Sequence, residues 1–302
     1  MIRRITIIGT GLIGASFALA IKTRGFAGEI IGCDRADVLQ RAGGLGAIDI
    51  AEEDPVRAVN GSDVVLLATP VGAIIDLIER VGPIMREDAL LTDTGSTKLD
   101  ILTRAQQVFG EAVTRRFLPG HPMAGKEISG VDTADPDLFV DRTWALTPPG
   151  GISAIVSAEV GRAHHGEFIR LLELIGARTI VLTAERHDRI CAYTSHMPQM
   201  LSTALAACIE EELNSEIALP ALSGRVLREM TCVAQSPYGM WRDVALTNTQ
   251  NLHDALLKIE QRLAHIRENL KTRALQEEFD LAKQLDLDGT RPRPDDLDPP
   301  KF

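Results

Sequence analysis

The stretch that most limits how this chain can fold is Gly9-Thr10-Gly11-Leu12-Ile13-Gly14. It lies between the β-branched run Ile5-Thr6-Ile7-Ile8 and an Ala- and Leu-rich segment that reaches Ile21. Three glycines at this spacing, after a strand and at the opening of a helix, are a turn built for a phosphate. The first permits the tight turn, the second lets the backbone approach a pyrophosphate, and the third lets the helix lie close on the strand. The pattern is weak alone. Here Asp34 stands about twenty residues further on, at the end of a second predicted strand (Glu29 to Cys33), where a carboxylate hydrogen-bonds a ribose. Its charge repels a 2′-phosphate and so favours NAD over NADP, although Arg35 beside it keeps NADP open. The predicted nucleotide-binding set is Gly9, Gly11, Leu12, Ile13, Gly14, Asp34 and Arg35, joined by Thr69 and Pro70 after the next strand.

The same segment also reads as a decoy export signal, since Arg3 and Arg4 precede an uncharged run with Ala18-Leu19-Ala20 near its end. The glycines weaken such a signal helix, and the run from Ile5 to Ile21 is shorter than the ~20 residues of a membrane span. Further apolar runs at Val64 to Ala68 and Leu90 to Thr92 lack period-2 alternation and are separated by helical patterns. Buried parallel strands with helices on both faces give that pattern: an α/β, doubly wound sheet. Thr143 to Thr147 and Arg178 to Leu182 read as further strands, with a helix from about Glu167 to Ile175 between them.

Beyond Leu182 the strands stop. His187 to Leu213 is helical with Pro198 as a kink or a fresh start, and a second helical region surrounds Leu222 to Ala234. Leu252, Leu256, Ile259, Leu263, Ile266 and Leu270 form a heptad-like stripe that fits either a partner helix or the subunit's own core. The predicted organisation is a nucleotide-binding domain over 1–183, an all-helical domain over 184–285 and a mobile Pro/Asp-rich tail over 286–302. The tail is too short to hold an appended regulatory or second catalytic domain.

Composition removes several function classes. The 302 residues hold 32 Lys plus Arg against 42 Asp plus Glu, a net charge of −10, and only 4% aromatics. That chain lacks the basic surplus and stacking surfaces that nucleic acids require. Cys33, Cys191, Cys208 and Cys232 are far apart, which signals neither a metal site nor a disulfide scaffold and fits a reducing cytoplasm.

Three polar stretches carry the candidate chemistry. Asp93-Thr94-Gly95-Ser96-Thr97-Lys98 follows the fourth strand, where open α/β sheets bind ligands, so Ser96 and Lys98 are expected near a nicotinamide. Ser96 or Thr97 is also a candidate cap for the next helix. His121, between Gly120 and Pro122 in a loop that continues through Lys126 and Glu127, is the candidate base, with a pKa expected near neutrality. Ser195-His196-Met197-Pro198-Gln199 places His196 and Gln199 toward a cleft between the halves, while His164 and His165 read as surface.

Read in order, these stretches resemble the prephenate/arogenate dehydrogenase family: Gly9-x-Gly-Leu-Ile-Gly-Ala-Ser16, Ala68-Thr-Pro-Val71, Asp93-x-Gly-Ser-x-Lys98, His121-Pro-Met-Ala-Gly125, Ser195-His-Met-Pro-Gln199 and Ser236-Pro-Tyr-Gly-Met-Trp241. The resemblance spans residue 1 to about 285. It implies a Rossmann-type domain followed by a helical dimerisation domain, hence a homodimer, and NAD-dependent oxidative decarboxylation of prephenate or arogenate in tyrosine biosynthesis. By motif, His121 resembles the histidine that takes the ring hydroxyl proton, and Ser96 the serine that orients that hydroxyl. His196 resembles the first histidine of the helical-domain motif, and Glu127 an acidic residue at the cleft entrance.

Two positions depart from the family pattern. Gln199 stands where several members have a second histidine, and Cys232 stands where a carboxylate-binding arginine is expected. A neutral thiol is no substitute for a bidentate guanidinium, which leaves Arg225, Arg228 or Lys126 as replacements. Prephenate is the expected substrate and arogenate the alternative. A β-hydroxyacid-type dehydrogenase, which would need a lysine-bearing helix in the second half, and a non-catalytic NAD sensor are the competing readings.

Overall fold

In a computed structural model of the chain, residues 1–126, 128, 130–151 and 163–288 are described; Glu127 and most of the predicted tail lie outside them. Met1–Leu252 packs as one compact unit and the residues from His253 on as a second. The division expected near 183 falls inside the first unit, which therefore contains both the glycine turn and His196.

The first unit is built on a six-stranded sheet in the order β3-β2-β1-β4-β5-β6. Its strands are β1 (Arg4–Ile8), β2 (Glu29–Cys33), β3 (Ile50–Glu52), β4 (Val64–Leu67), β5 (Leu90–Asp93) and β6 (Phe117–Leu118), and every pairing is parallel. This is the doubly wound order, with its reversal between β1 and β4. The helices α1 (Leu12–Thr23), α2 (Ala36–Gly44), α3 (Pro55–Ala58), α4 (Val71–Val81), α5 (Leu99–Phe109) and α6 (Val113–Arg116) return the chain between strands. Alternate β1 and β4 side chains enter two cores. Ile5, Ile7, Val64 and Leu66 pack with α1, whereas Ile8, Val65 and Leu67 pack with α4 and α5. Burial on both faces explains the unbroken apolar runs in the sequence. The segment from Ile5 to Ile21 is thus a core strand, turn and helix, not an export signal.

A second sheet corrects the expected topology. β7 (Gly120–Pro122), β8 (Thr143–Leu146) and β9 (Arg178–Val181) form a separate three-stranded sheet, with β7 antiparallel and β9 parallel to β8. The strands at Thr143 and Arg178 exist but do not extend the main sheet, and His121 sits on a strand rather than in a loop. The short strands β3 and β6 escaped sequence reading because runs of two or three residues carry no periodicity.

Helix α7 (Ala163–Leu174) buries His165 on the face it shares with Phe168 and Leu172, so His165 belongs to the core, not the surface. Then follow α8 (Ala184–Cys191), a single π-turn (Ala192–His196) and α9 (Met197–Leu213). Pro198 lies in the first turn of α9, directly after the π-turn, and brings no N–H to the carbonyls upstream of it. The predicted helix around Leu222 to Ala234 is broken into α10 (Leu219–Leu222), α11 (Arg225–Thr231) and a 3₁₀ turn, followed by α12 (Tyr238–Thr247). The heptad stripe begins on α13 (Thr249–Glu268), with α14 (Ala274–Ala282) after it. No described helix is long and apolar enough to cross a membrane.

Candidate active site

The glycine turn holds its shape by close backbone approach. Gly9 has φ +95°, and a Cβ there would stand 2.5 Å from the Ala68 carbonyl oxygen. A Cβ on Gly14 would stand 2.0 Å from the Gly9 oxygen and 2.9 Å from Ile7. Gly11, which opens α1 as its N-cap, meets nothing within 4 Å, so its backbone is open to a ligand. Leu12 and Ile13 supply the first N–H groups of α1 beyond it. The Thr10 N–H donates to Asp34 Oδ2 at 2.8 Å and the Arg35 N–H to Asp34 Oδ1 at 2.8 Å, which fixes the carboxylate at the end of β2.

Ile8, Gly9, Cys33, Asp34, Arg35, Glu53, Pro55 and Thr69 line a cavity of about 330 Å³ beside this turn. Thr69 adds a buried hydroxyl without a partner, and Pro70 is the N-cap of α4. These features fit a dinucleotide: a cradle that side chains would fill, a fixed ribose acceptor and a spare hydroxyl. Glu53 adds a second negative charge to that of Asp34, and Arg35 pairs with Asp37 at 3.6 Å. The lining therefore disfavours an extra phosphate. Burial and the neighbouring carboxylates of Asp34, Glu52 and Asp54 push the Cys33 thiol up to about 12, so it stays protonated.

At the carboxyl end of β5 the loop carrying Ser96 is tied down on three sides. Gly95 N–H donates to Asp93 Oδ1 at 2.8 Å, and Thr97 Oγ1 shares a hydrogen bond of 2.7 Å with Thr247 Oγ1 on α12. Lys98 is fully buried, in contact with the Asp93 carboxylate and donating to the Gly120 carbonyl at 2.6 Å. Lys98 thus braces β5 against β7, its ammonium held by these two buried partners. Neither Ser96 nor Thr97 caps α5. The Asp188 side chain on α8 does so instead, accepting from Lys98 N–H at 2.8 Å and Leu99 N–H at 2.9 Å. Ser96 is half-buried on this loop.

His121, half-buried on β7, has its Nδ1 2.9 Å from Nε2 of His187, and His187 Nδ1 lies 2.8 Å from Asp188 Oδ1. Cys191 Sγ is 3.5 Å from the same His187 nitrogen, with its thiol pushed up to about 12 by burial and by Asp188. The ligand atoms of His121, His187 and Cys191 all lie within 4.8 Å of one another. The 2.9 Å between the two imidazoles is hydrogen-bond contact, shorter than the roughly 3.3 Å that separates two nitrogens around tetrahedral zinc at 2.0–2.1 Å. Burial, the adjoining His187, Lys98 and His196 hold His121 well below the usual histidine range. It is therefore not poised near neutrality, as expected, but held neutral.

His196, at the end of the π-turn, is 1% exposed; Asn248 Nδ2 lies 3.1 Å from its Nδ1 and the Trp241 ring stands edge-on to it. Its Nε2 and the Trp241 indole N–H are buried without hydrogen-bond partners. Burial is the main cause that lowers its pKa to about 4. Gln199 is also buried, but its amide donates to the Val233 carbonyl at 2.8 Å and so ties α9 to the turn after α11. Lys126 pairs with Asp135 at 3.0 Å, and Arg225 pairs with Glu229 on the solvent side of α11, where Arg228 is exposed as well. Cys232 is exposed and its thiol donates to the Glu229 carbonyl at 3.1 Å. Among the described residues, none of the proposed replacement cations points an unpaired charge at His121 or His196 in the contacts above. His187, Asp188 and Asn248 gave no sequence signal beyond lying in helical pattern.

Two family models match the chain. They are prephenate dehydrogenase, nucleotide-binding domain, over residues 17–160, and prephenate dehydrogenase, dimerization domain, over residues 183–286. The chain belongs to the prephenate dehydrogenase family. It is 32% identical over 249 residues to the prephenate dehydrogenase of Lactococcus lactis, covering 82% of this chain and 66% of that one. Against the cyclohexadienyl dehydrogenase of Zymomonas mobilis it is 31% identical over 252 residues, covering 83% and 82%. Among solved structures, prephenate dehydrogenase from Aquifex aeolicus with hydroxyphenyl propionate and NAD+ superposes with a TM-score of 0.82 at 28% identity, over 94% of this chain and 96% of that one. The chain spans just under two thirds of the length of the Lactococcus relative.

Two outcomes follow from this geometry. Gly14→Ala should lose about 1–3 kcal/mol in urea unfolding, as overpacking does, whereas Gly11→Ala should unfold like the parent and lose NAD affinity by titration. Because His196 titrates at about 4 when folded and near 6.5 when unfolded, the unfolded chain binds more protons between those values. Stability measured by urea at stepped pH should therefore fall as pH drops through that window and be flat just above it.

Proposed function

We propose that this chain oxidises prephenate to 4-hydroxyphenylpyruvate and CO2 with NAD, with arogenate as the alternative substrate. The carrying observation is the neutral, half-buried His121 imidazole, anchored through Nδ1 to His187. It lies beside the Ser96 loop at the carboxyl end of a nucleotide-binding sheet. NAD, held by Gly9, Gly11, Leu12, Ile13, Gly14, Asp34, Thr69 and Pro70, supplies the hydride acceptor.

His121 takes the proton of the ring hydroxyl, and Ser96 orients that hydroxyl. As the carbinol carbon gives up hydride, the C–O bond gains carbonyl character. The bond from the ring to its carboxylate then breaks, its electron pair completes the aromatic ring, and CO2 departs. The phenolate oxygen recovers its proton from His121, so the base is used without net consumption. A low imidazole pKa keeps the base free at neutral pH, and the substrate's carboxylates favour the imidazolium once formed. Among the described residues, the unpartnered His196 Nε2 and Trp241 N–H are donors that the anionic substrate can use.

The protein acts as a homodimer through the helical region. The dimerization-domain match over 183–286 and the large apolar residues left exposed, among them Ile217, Leu222, Val226 and Tyr238, support this reading. Its four free cysteines fit a reducing, cytoplasmic setting.

The test is NADH formation from prephenate and from arogenate, each with NAD and with NADP; no reduction with either acid sinks the assignment. His121→Asn should lower kcat by roughly 10²–10⁴ with NAD affinity unchanged. The acid limb of kcat/KM should lie well below pH 6.5; a limb at or above that pH excludes His121 as the base.

A further inference from the structure

His121 and His196 are asked to do opposite things, one to accept a proton and one to donate a hydrogen bond, yet both are neutral imidazoles. A neutral imidazole carries its single proton on either nitrogen, and the partner of the other nitrogen decides which. We propose that Asp188 fixes both rings at once, through His187 for His121 and through Asn248 for His196. His121 then presents a lone pair, and His196 an N–H, from Nε2. This rests on the functional reading above, in which these two rings face the substrate.

Each proton position follows from its neighbour. The Asp188 carboxylate faces the N–H groups of Lys98 and Leu99 and can only accept, so His187 Nδ1 carries the proton that lies between them. In a neutral His187 ring, Nε2 is then a lone pair. It can meet His121 Nδ1 at 2.9 Å only if that atom is protonated, which leaves His121 Nε2 bare. On the other branch, Asn248 Nδ2 donates to the Asp188 carbonyl at 2.8 Å, which identifies it as the nitrogen of the amide. Its second hydrogen points at His196 Nδ1 at 3.1 Å, so that atom accepts and Nε2 carries the proton. That Nε2 is the buried atom left without a partner. The Asn251 side-chain N–H donates to Asn248 Oδ1 at 2.8 Å and prevents the amide from turning over.

The charged and titratable groups around His121 are His187 and Cys191 from α8, Lys98 from the β5–α5 loop, and His196 from the π-turn. Lys98 contacts Asp93, and Cys191 is held protonated; among the described residues, the carboxylate hydrogen-bonded to the imidazole pair is that of Asp188. His187, Asp188 and Asn248 are positioning residues. Unconstrained imidazoles prefer no single nitrogen strongly, so removing an anchor frees the ring to turn its base away rather than abolishing chemistry outright.

The experiment is nitrogen-15 NMR of histidine-labelled protein at pH 7.5, with two-bond proton correlations that report which nitrogen is protonated. The expected result is Nδ1–H for His121 and Nε2–H for His196; Nε2–H at His121 overturns the proposal. His187→Phe should convert His121 to a mixture of tautomers and lower kcat about 10-fold or more, with KM for NAD unchanged. His187→Gln, whose amide oxygen can accept from His121 Nδ1, should recover part of that loss. Wild-type kcat and pH profile in His187→Phe, or equal loss in Phe and Gln variants of native circular dichroism, would refute the relay. The tautomers are read without substrate, so a protein inert toward both acids would fail the functional reading while still testing the proton positions.

Discussion

One carboxylate holds this site together. Asp188 comes from α8, outside the main sheet, yet it caps α5, which follows β5, the sheet's fifth parallel strand in sequence. The uncapped N–H groups at the start of α5 draw an anion for the same reason that α1 draws a phosphate. Satisfying that need from another element, rather than from Ser96 or Thr97, leaves Thr97 Oγ1 to bond Thr247 on α12 and the Ser96 hydroxyl free of the cap. It also locks α8 to the sheet at the point where His187 must reach His121. The same carboxylate thus caps a helix at one end and holds an imidazole pair at the other.

The proposed function sets an acidic protein to handle an acidic substrate. With a net charge of −10, long-range attraction works against a dicarboxylate. Three of the cations considered for the candidate site are paired, Lys98 with Asp93, Lys126 with Asp135 and Arg225 with Glu229, and Arg228 is exposed. The donors left over are neutral N–H groups in buried surroundings. Such donors are weak in water and much stronger where water is excluded.

Much of the cofactor half was legible in the sequence, because its signals are local. The Gly9 to Gly14 turn, Asp34 at the end of β2 and the unbroken apolar strands each depend on spacing within a few dozen residues. The motifs also singled out His121 and Ser96, which lie on β7 and on the loop after β5. The anchors were not. Asp188 caps a helix whose first residues are about ninety positions earlier, and His187 meets a strand 66 positions away. An Asp after a His inside an amphipathic helix reads as an ordinary polar face. The second sheet was hidden too, since a three-residue strand has no period to detect. The role of Lys98 was misread because a lysine in a polar loop gives no sign that it will be buried.

The π-turn between α8 and α9 has a geometric consequence of its own. Successive residues of an α-helix advance by about 100°, so positions nine apart, such as His187 and His196, point to nearly opposite sides. A π-turn closes on i+5 instead of i+4 and behaves as a one-residue insertion, which changes the angular phase of everything downstream by roughly a quarter turn. The five residues Ala192–His196 therefore act as a clutch on the helix. They slip its phase just enough for two imidazoles on one continuous backbone to serve the same small volume of space.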